Sequence, residues 1–193
     1  ADGQLVDACK GCYATAGNYR FANVKAPREF NRQAWQGDSF VSDFIKALQK
    51  ESFCRWFDSG DMYDLRLAHK MLEIMKETPH VKHWLPTRMH KFKKFHEVIQ
   101  EMAALPNVVV RLSSDSVTGG LVQSGLTDNN STIIPEYALS EYKGFVCQAY
   151  YQDGKCLDCA ACYDKDIKTV AYVGHGVSMK KNQGKKIAAV NLD

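Results

Sequence analysis

The chain has 193 residues, of which 45% are hydrophobic, and a formal net charge of +3. That length suits one large domain or two small ones, and that apolar content supports an ordinary folded core, which excludes a disordered chain. A basic excess of this size selects no particular partner, and the longest apolar runs are too short to span a membrane.

The sequence contains seven cysteines. No signal peptide precedes them, so we expect a reducing cytoplasm, where clustered thiols bind metals instead of forming disulfides. Because Ala1 is not an initiator methionine, we also expect the native chain to begin upstream of it.

The first motif is Cys9-Lys10-Gly11-Cys12, a C-x-x-C pair that supplies two metal ligands or a redox dithiol. A thioredoxin-type dithiol normally follows a core strand, and residues 1–8 are too polar and short for one. We therefore favour half of a metal site, with the missing thiol coming from Cys54 or from residues upstream of Ala1. For Cys54 itself, a buried core thiol is the preferred interpretation.

Strand and helix patterns then alternate. They predict helices at 39–50, from Leu65 to Met75 and from Phe92 to Met102, with strands at 52–57, 81–85 and 108–112. Strand starts about thirty residues apart indicate parallel strands joined by right-handed crossovers. The predicted fold class is α/β, a partial (β/α) barrel or open parallel sheet with a C-terminal cysteine-rich cluster-binding loop. Residues 1–143 would form the α/β region and residues 144–193 the cysteine-cluster region.

Polar residues follow the three predicted strands, and reactive groups collect at the carboxyl ends of parallel strands. Arg88 and Arg111 would bind a carboxylate or phosphate, or else pair with Asp58 or Asp115. Turn formation and helix capping explain the acids equally well, above all for Asp61 and Asp64. The candidate catalytic residues are Asp58, Asp61, Arg88, Arg111 and Asp115, and the candidate cofactor-binding residues are Ser59, Gly60, Ser113 and His175.

The last third is less regular. Residues 117–131 are predicted to be a long loop of the kind that forms functional lids. Strands are predicted at 132–134, 144–149 and 169–173. His175 follows the last strand and would donate to a substrate or to a cluster sulfide, or would simply face solvent. The lysine-rich tail from Met179 is interpreted as a solvated end, with a nucleic-acid contact as the less favoured alternative.

Four thiols lie close together in the run C-Q-A-Y-Y-Q-D-G-K-C-L-D-C-A-A-C. A C-x-x-C-x-x-C loop binds three irons of a cubane and a remote cysteine binds the fourth, so we favour a 4Fe–4S cluster. Tetrahedral zinc is the alternative metal, and disulfides or idle thiols are the remaining options. The ligands predicted here are Cys147, Cys156, Cys159 and Cys162.

Several of these segments resemble the phage-encoded gene product 88 family. They are C-K-G-C-Y-A-T-A-G-N-Y-R-F, R-W-F-D-S-G-D-M-Y-D, W-L-P-T-R-M, V-V-V-R-L-S-S-D-S, and the cysteine loop with A-Y-V-G-H-G. The resemblance covers nearly the whole chain. It implies a phage protein with one more cysteine ahead of Cys9 and Cys12.

The layout is also distantly similar to radical S-adenosylmethionine enzymes. By that resemblance Cys9 and Cys12 would hold a 4Fe–4S cluster, and Ser59-Gly60-Asp61 would bind the methionine amino group of S-adenosylmethionine. The chain departs from the pattern of those enzymes at Leu5, where they have a third cysteine, and at Gly11, where an aromatic residue is usual.

Two functions follow from the sequence. The first is a phage-encoded iron–sulfur protein with one or two clusters, acting as a redox or radical enzyme on a small-molecule substrate. The second is a non-catalytic phage accessory protein with a structural iron–sulfur or zinc site, which binds a host protein or nucleic acid. Both predict a protein of the host cytoplasm with no membrane partner.

Overall fold

The computed structural model of the protein describes residues 5–12, 14 and 17–190. The strands of this described part are β1 (Phe53–Arg55), β2 (Lys82–Thr87), β3 (Val108–Ser113), β4 (Asn130–Ile134), β5 (Phe145–Val146) and β6 (Thr169–Val173). Its helices are α1 (Asp7–Lys10), α2 (Ala22–Ala34), α3 (Phe40–Leu48), α4 (Leu65–Glu77), α5 (His96–Ala104) and α6 (Val177–Val190).

The strands form a parallel sheet in the order β1-β2-β3-β4-β6-β5. The register pairs Cys54 with His83 across β1 and β2, and Val146 with Ala171 across β5 and β6. Parallel neighbours need long crossovers, and α4 and α5 provide them between the first three strands. The predicted α/β class with a partial barrel or open parallel sheet is confirmed, whereas cluster binding by the cysteine loop stays a prediction.

The chain divides into two compact units whose segments alternate along the sequence. One, called here the β1–β3 unit, comprises residues 13–112 and 124–128. In this unit α4 packs against α3 and α5 and buries an apolar face that includes Met71, Ile74 and Met75. Strand residues alternate between the two faces of the sheet. Cys54 and His83 are therefore buried while Phe53 and Arg55 are exposed, which confirms Cys54 as a core thiol.

The other unit, called here the cysteine unit, comprises residues 1–12, 113–123 and 129–193. Strands β4, β5 and β6 pair within it, and α1 packs against α6. One of its buried apolar clusters is small, consisting of Ala8, Val117 and Met179 with Ile133 against them. The domain boundary predicted after residue 143 stays a prediction.

The tail, interpreted as a solvated end, forms α6, where Lys180 and Lys181 are exposed but Met179 and Gln183 are buried; the side chains of residues 185–190 lie outside those described. The interpretation holds for the two lysines and was wrong for Met179 and Gln183. The strand predicted at 144–149 is shorter than predicted: it spans Phe145–Val146, Cys147 adds one further backbone hydrogen bond to β6, and the chain then turns into a 3₁₀ helix, Gln148–Tyr151.

Helix α2 was missed from the sequence. Pro27 lies inside it, and proline usually ends a helix because it lacks the N–H that the fourth preceding carbonyl needs. No residue of α2 is buried, so its sequence carries no continuous apolar stripe.

Within the part of the chain that the structure describes, no helix is both long and apolar enough to cross a membrane.

Candidate functional site

All six cysteines predicted as metal ligands belong to the cysteine unit, although the first two and the last four come from opposite ends of the chain. Cys54 belongs to the other unit. All seven are thiols in the structure. The six predicted ligands are Cys9, Cys12, Cys147, Cys156, Cys159 and Cys162.

The C-x-x-C motif begins on α1 and is held by backbone contacts on both sides. The Ala8 N–H donates to the Asp115 carbonyl over 3.1 Å, just beyond the carboxyl end of β3. The Asn182 side chain on α6 donates to the Asp7 carbonyl over 2.7 Å. The half-buried Cys9 and Cys12 are thereby fixed between a strand exit and a helix.

Close packing against α6 explains why Gly11, which lies between these cysteines, is a glycine. A Cβ added at Gly11 would lie 2.9 Å from Met179 Cε and 3.0 Å from Met179 Cα. The second contact is with backbone and cannot be relieved by a side-chain rotation. The close approach of α6 therefore excludes the aromatic residue that radical S-adenosylmethionine enzymes usually carry at this place in the motif.

Two of the late cysteines lie against β6. The Cys147 N–H donates to the Ala171 carbonyl over 2.8 Å, which continues the β5–β6 ladder by one residue and brings Cys147 level with Tyr172. The Cys162 sulfur lies 3.4 Å from the Tyr172 hydroxyl. One tyrosine near the carboxyl end of β6 is therefore adjacent to both ends of the cysteine run.

Cys156 and Cys159 lie on an exposed loop with an unusual backbone. Asp153 and Leu157 have φ angles of 51° and 48°, a left-handed conformation that is rare for residues other than glycine. The Cys159 N–H donates to the Cys156 carbonyl over 2.9 Å, so the first C-x-x-C of the loop is a closed turn. Across the described residues, no three His, Cys, Asp or Glu side chains are grouped so as to hold a metal ion.

The exit of β1 carries the predicted S-adenosylmethionine-binding residues of the β1–β3 unit. Phe57 and Gly60 have φ angles of 62° and 99°, which fold the chain back after the strand. The Tyr19 hydroxyl donates to Asp58 over 2.5 Å, and the Arg28 guanidinium donates to the Ser59 hydroxyl over 2.5 Å. The segment that follows the C-x-x-C motif therefore lies on this loop.

Asp61 joins the exits of β1 and β2. Its carboxylate accepts hydrogen bonds from the Thr87 hydroxyl over 2.7 Å, from the Arg88 N–H over 2.7 Å and from the Met62 N–H over 2.8 Å. Burial raises the pKa of Asp61 above its ordinary value, and these three donors oppose the rise. Asp61 therefore fixes the relative position of two strand exits, while Asp64 caps α4 by accepting from the Arg66 N–H.

The two candidate arginines have different surroundings. Arg111 is 0% exposed on β3, an environment in which arginine is almost always paired. Arg88 is half-buried at the exit of β2. Asp58, Ser59, Gly60, Asp61, Arg88 and Arg111 all belong to the β1–β3 unit.

The remaining candidates belong to the cysteine unit. The Ser113 and Ser131 hydroxyls lie 3.2 Å apart on neighbouring strands. His175 is exposed, and its ring centroid lies 5.7 Å from that of Tyr150. Asp115 contributes its backbone carbonyl to the hydrogen bond from Ala8.

Tyr19 and Arg28 were not predicted from the sequence as partners of the loop that follows β1. The Arg28 guanidinium also lies over the Tyr19 ring, 4.8 Å from its centroid. Their position soon after the C-x-x-C motif was the signal that could have indicated a role for them. Arg28 lies on α2, and the Pro27 inside that helix made a helix there hard to predict.

The family model described as gene product 88 matches residues 5–183 of the chain. The searches of curated proteins and of solved structures found no match.

Proposed function

The chain belongs to the gene product 88 family, a phage gene product family, and we propose that it is an iron–sulfur protein whose cysteine unit holds one or two 4Fe–4S clusters. The observation that carries the proposal is that all six predicted metal ligands belong to the cysteine unit. Thiols separated by more than half of the chain belong to one compact unit, and the buried core thiol Cys54 does not.

The donor set suits iron–sulfur chemistry. A cubane takes one thiolate for each iron, and the four late cysteines supply that number from a single run. Cys9 and Cys12 supply two ligands, half of what a second cubane needs. The described side chains are not grouped as a ligand set, so the support for the cluster is the number and chemistry of the thiols.

We propose further that a cluster at Cys9 and Cys12 gives the protein a redox or radical activity of the S-adenosylmethionine type. Support comes from the distant likeness of the sequence layout to radical S-adenosylmethionine enzymes; within the β1–β3 unit, Tyr19 and Arg28 bond to Asp58 and Ser59 of the loop that this likeness assigns to the methionine end. In this proposal Ser59, Gly60 and Asp61 bind the methionine end of S-adenosylmethionine. Leu5, in the place of a third cysteine, is the feature that argues against it.

Metal analysis tests the cluster proposal. Protein purified without oxygen should contain roughly four iron atoms and four sulfides per chain for one cubane, and twice that for two. Cys159→Ser should lower the iron content, while Cys54→Ala should leave it unchanged. Zinc without sulfide, or no metal after anaerobic reconstitution, would refute the cluster.

The activity is tested on the same protein. S-adenosylmethionine is added to the reduced protein, and its binding and consumption are measured. A loaded, reduced protein that neither binds nor consumes it would refute the radical proposal and leave the cluster proposal standing.

A second candidate is a non-catalytic accessory protein with a structural iron–sulfur or zinc site. Two observations favour it. The cluster that lies between α1 and α6 is small, with Ala8, Val117 and Met179 as its buried members, so a metal bound at the adjacent Cys9 and Cys12 would contribute folding energy there. Asp61, a candidate catalytic acid, already accepts three internal hydrogen bonds.

This candidate makes distinct predictions. A chelator should unfold the cysteine unit and leave the β1–β3 unit folded, as observed by hydrogen exchange. Arg88→Ala and Asp115→Ala should leave the phage phenotype intact, whereas a catalytic role requires at least one of them to abolish it.

A further inference from the structure

A stretch of positive charge runs through β2 to the first residue of α5 in the β1–β3 unit. Residues 78–96 contain four lysines, one arginine and no aspartate or glutamate, whereas the whole chain has a net charge of +3. The rest of the chain is therefore slightly acidic. Four of these five basic residues lie at 88–94, between the end of β2 and the start of α5. We call residues 88–96 the basic segment.

The backbone of the basic segment is fixed by its buried residues. It folds as two successive 3₁₀ turns that lead into α5. Phe95 is 0% exposed, and its N–H donates to the Phe92 carbonyl over 2.9 Å. The His96 ring donates through Nε2 to the carbonyl of the buried His90 over 2.8 Å. The residues between these anchors are therefore ordered before a ligand binds, which reduces the entropy lost on binding.

Four consecutive side chains of the basic segment, at 91–94, are exposed. Phe92 is 51% exposed, and within the described part of the chain its ring makes no aromatic or cation–π contact. Lys93 and Lys94 form no ion pair with any described carboxylate. The Lys94 ammonium lies over the ring of the buried Phe95, 5.2 Å from its centroid. The segment therefore presents one open aromatic ring followed by two ammonium groups.

Two neighbouring acids compensate little of this charge. Asp64 is ion-paired with Arg66, which is the main cause of the lowered pKa of that carboxyl, and Lys94 contributes a weaker attraction. Glu97, which follows the segment on α5, is exposed and forms no ion pair with a described residue. The positive charge of the basic segment is therefore open to an anionic partner.

We propose that the basic segment binds single-stranded nucleic acid, with a base stacked on Phe92 and phosphates on Lys93 and Lys94. An exposed ring next to lysines suits an unpaired strand, because every base has a face that stacks and every nucleotide carries a phosphate. Protein interfaces are depleted in lysine, and a membrane contact needs a continuous apolar face, whereas this segment exposes one large apolar side chain. The inference rests on neither of the proposed functions.

The test uses the whole 193-residue chain and a fluorescein-labelled oligothymidylate of about ten nucleotides, a length within the usual site size. Fluorescence anisotropy gives the affinity at several salt concentrations. Phe92→Ala should weaken binding about tenfold through loss of stacking. Phe92→Leu, which keeps an apolar side chain but has no ring, should weaken binding similarly, and Phe92→Tyr should retain it. Lys93→Ala and Lys94→Ala should each lower the slope of log affinity against log salt by about 0.7.

Phe30→Ala and Lys46→Ala are the matched controls, because they remove exposed side chains of the same kinds from α2 and α3 of the same unit. Each should change the affinity less than about twofold. Phe92, Lys93 and Lys94 are exposed, so their variants should keep the wild-type circular dichroism and melting temperature.

The proposal would be overturned by the absence of binding at low salt, or by full affinity in Phe92→Ala or Phe92→Leu. A polyphosphate of equal charge that binds as tightly as the oligonucleotide would overturn it too, because a base would then add nothing. Sedimentation with vesicles of phosphatidylcholine and phosphatidylserine, together with no affinity for the oligonucleotide, would assign the segment to a membrane surface instead. None of these outcomes bears on the iron content of the cysteine unit.

Discussion

The indole N–H of Trp56 donates a hydrogen bond to Nδ1 of His83 over 3.1 Å. On the other side of the ring, His83 Nε2 lies 2.9 Å from the Thr78 hydroxyl, which itself donates to the Ile74 carbonyl over 2.6 Å. The hydroxyl has one proton, so it must accept from His83, and indole can only donate. The buried ring is therefore held neutral, with its proton on Nε2.

This arrangement predicts a loss of stability in acid. Burial lowers the pKa of His83 from 6.5 to about 4, so between these values the unfolded chain binds a proton that the folded protein does not. The free energy of unfolding is then highest above pH 6.5 and should fall by up to about 3 kcal/mol as the pH drops to 4.

Urea unfolding at a series of pH values measures this effect. His83→Gln should be less stable at pH 7 but should show a flatter dependence between pH 6.5 and 4. His69→Gln, which changes an exposed histidine on α4, should keep the wild-type slope. An unaltered slope in His83→Gln would mean that another group causes the acid sensitivity.

Asp61→Asn should lower the free energy of unfolding by about 1–3 kcal/mol, because an amide cannot accept on both of its terminal atoms. Whichever oxygen is replaced by the amide nitrogen, the backbone N–H of Met62 or of Arg88 then faces another donor. Asp58→Asn is the control, since Asp58 is exposed and the structure gives its carboxylate a bond from Tyr19. Equal stability of the two variants would contradict the role of Asp61 as the link between the strand exits.

The pKa of Asp61 is raised whereas that of His83 is lowered, so the two residues change the pH dependence of stability in opposite directions. The stabilising contribution of Asp61 is greatest below the unfolded pKa and falls as the pH rises through the folded pKa. Asp61→Asn should therefore steepen the net loss of stability in acid, measured by the same urea titration.

Asp64→Ala should lower the melting temperature by about 2–4 °C, because the Arg66 N–H loses the carboxylate that caps α4. Asp64→Asn should keep most of the wild-type melting temperature, since asparagine caps equally well. The melting temperatures of the two variants distinguish a cap from the exposed Arg66 ion pair, which asparagine would also remove.

Thiol labelling should separate Cys54 from the other cysteines. Burial raises the pKa of Cys54 to about 11, so almost no thiolate is present at neutral pH. In metal-free protein, iodoacetamide should modify Cys156 and Cys159 first and Cys54 only after unfolding, as read by mass spectrometry. Anaerobically reconstituted protein should protect Cys156 and Cys159 if they ligate a cluster, and their rapid labelling there would contradict ligation.

Part of the fold follows from local patterns. Helix α4 begins at Leu65 as predicted, and strands β3 and β6 lie where the apolar runs are, because burial on a helix or strand imposes its period on the sequence. The burial of Cys54 and the cap at Asp64 are of the same local kind. The predicted roles of the strand-exit residues in binding and catalysis stay predictions.

The sequence by itself determined the alternation of strands and helices, the parallel sheet, and the spacing of one cysteine pair and one run of four cysteines. Only the tertiary structure decided that Cys9 and Cys162 share one unit, that Asp61 bonds to Thr87, and that Met179 limits residue 11 to glycine. Periodicity records which side of an element is buried, but it does not record which distant element covers that side. Chain topology and close packing decide which elements meet, and neither can be recognised from a short stretch of sequence.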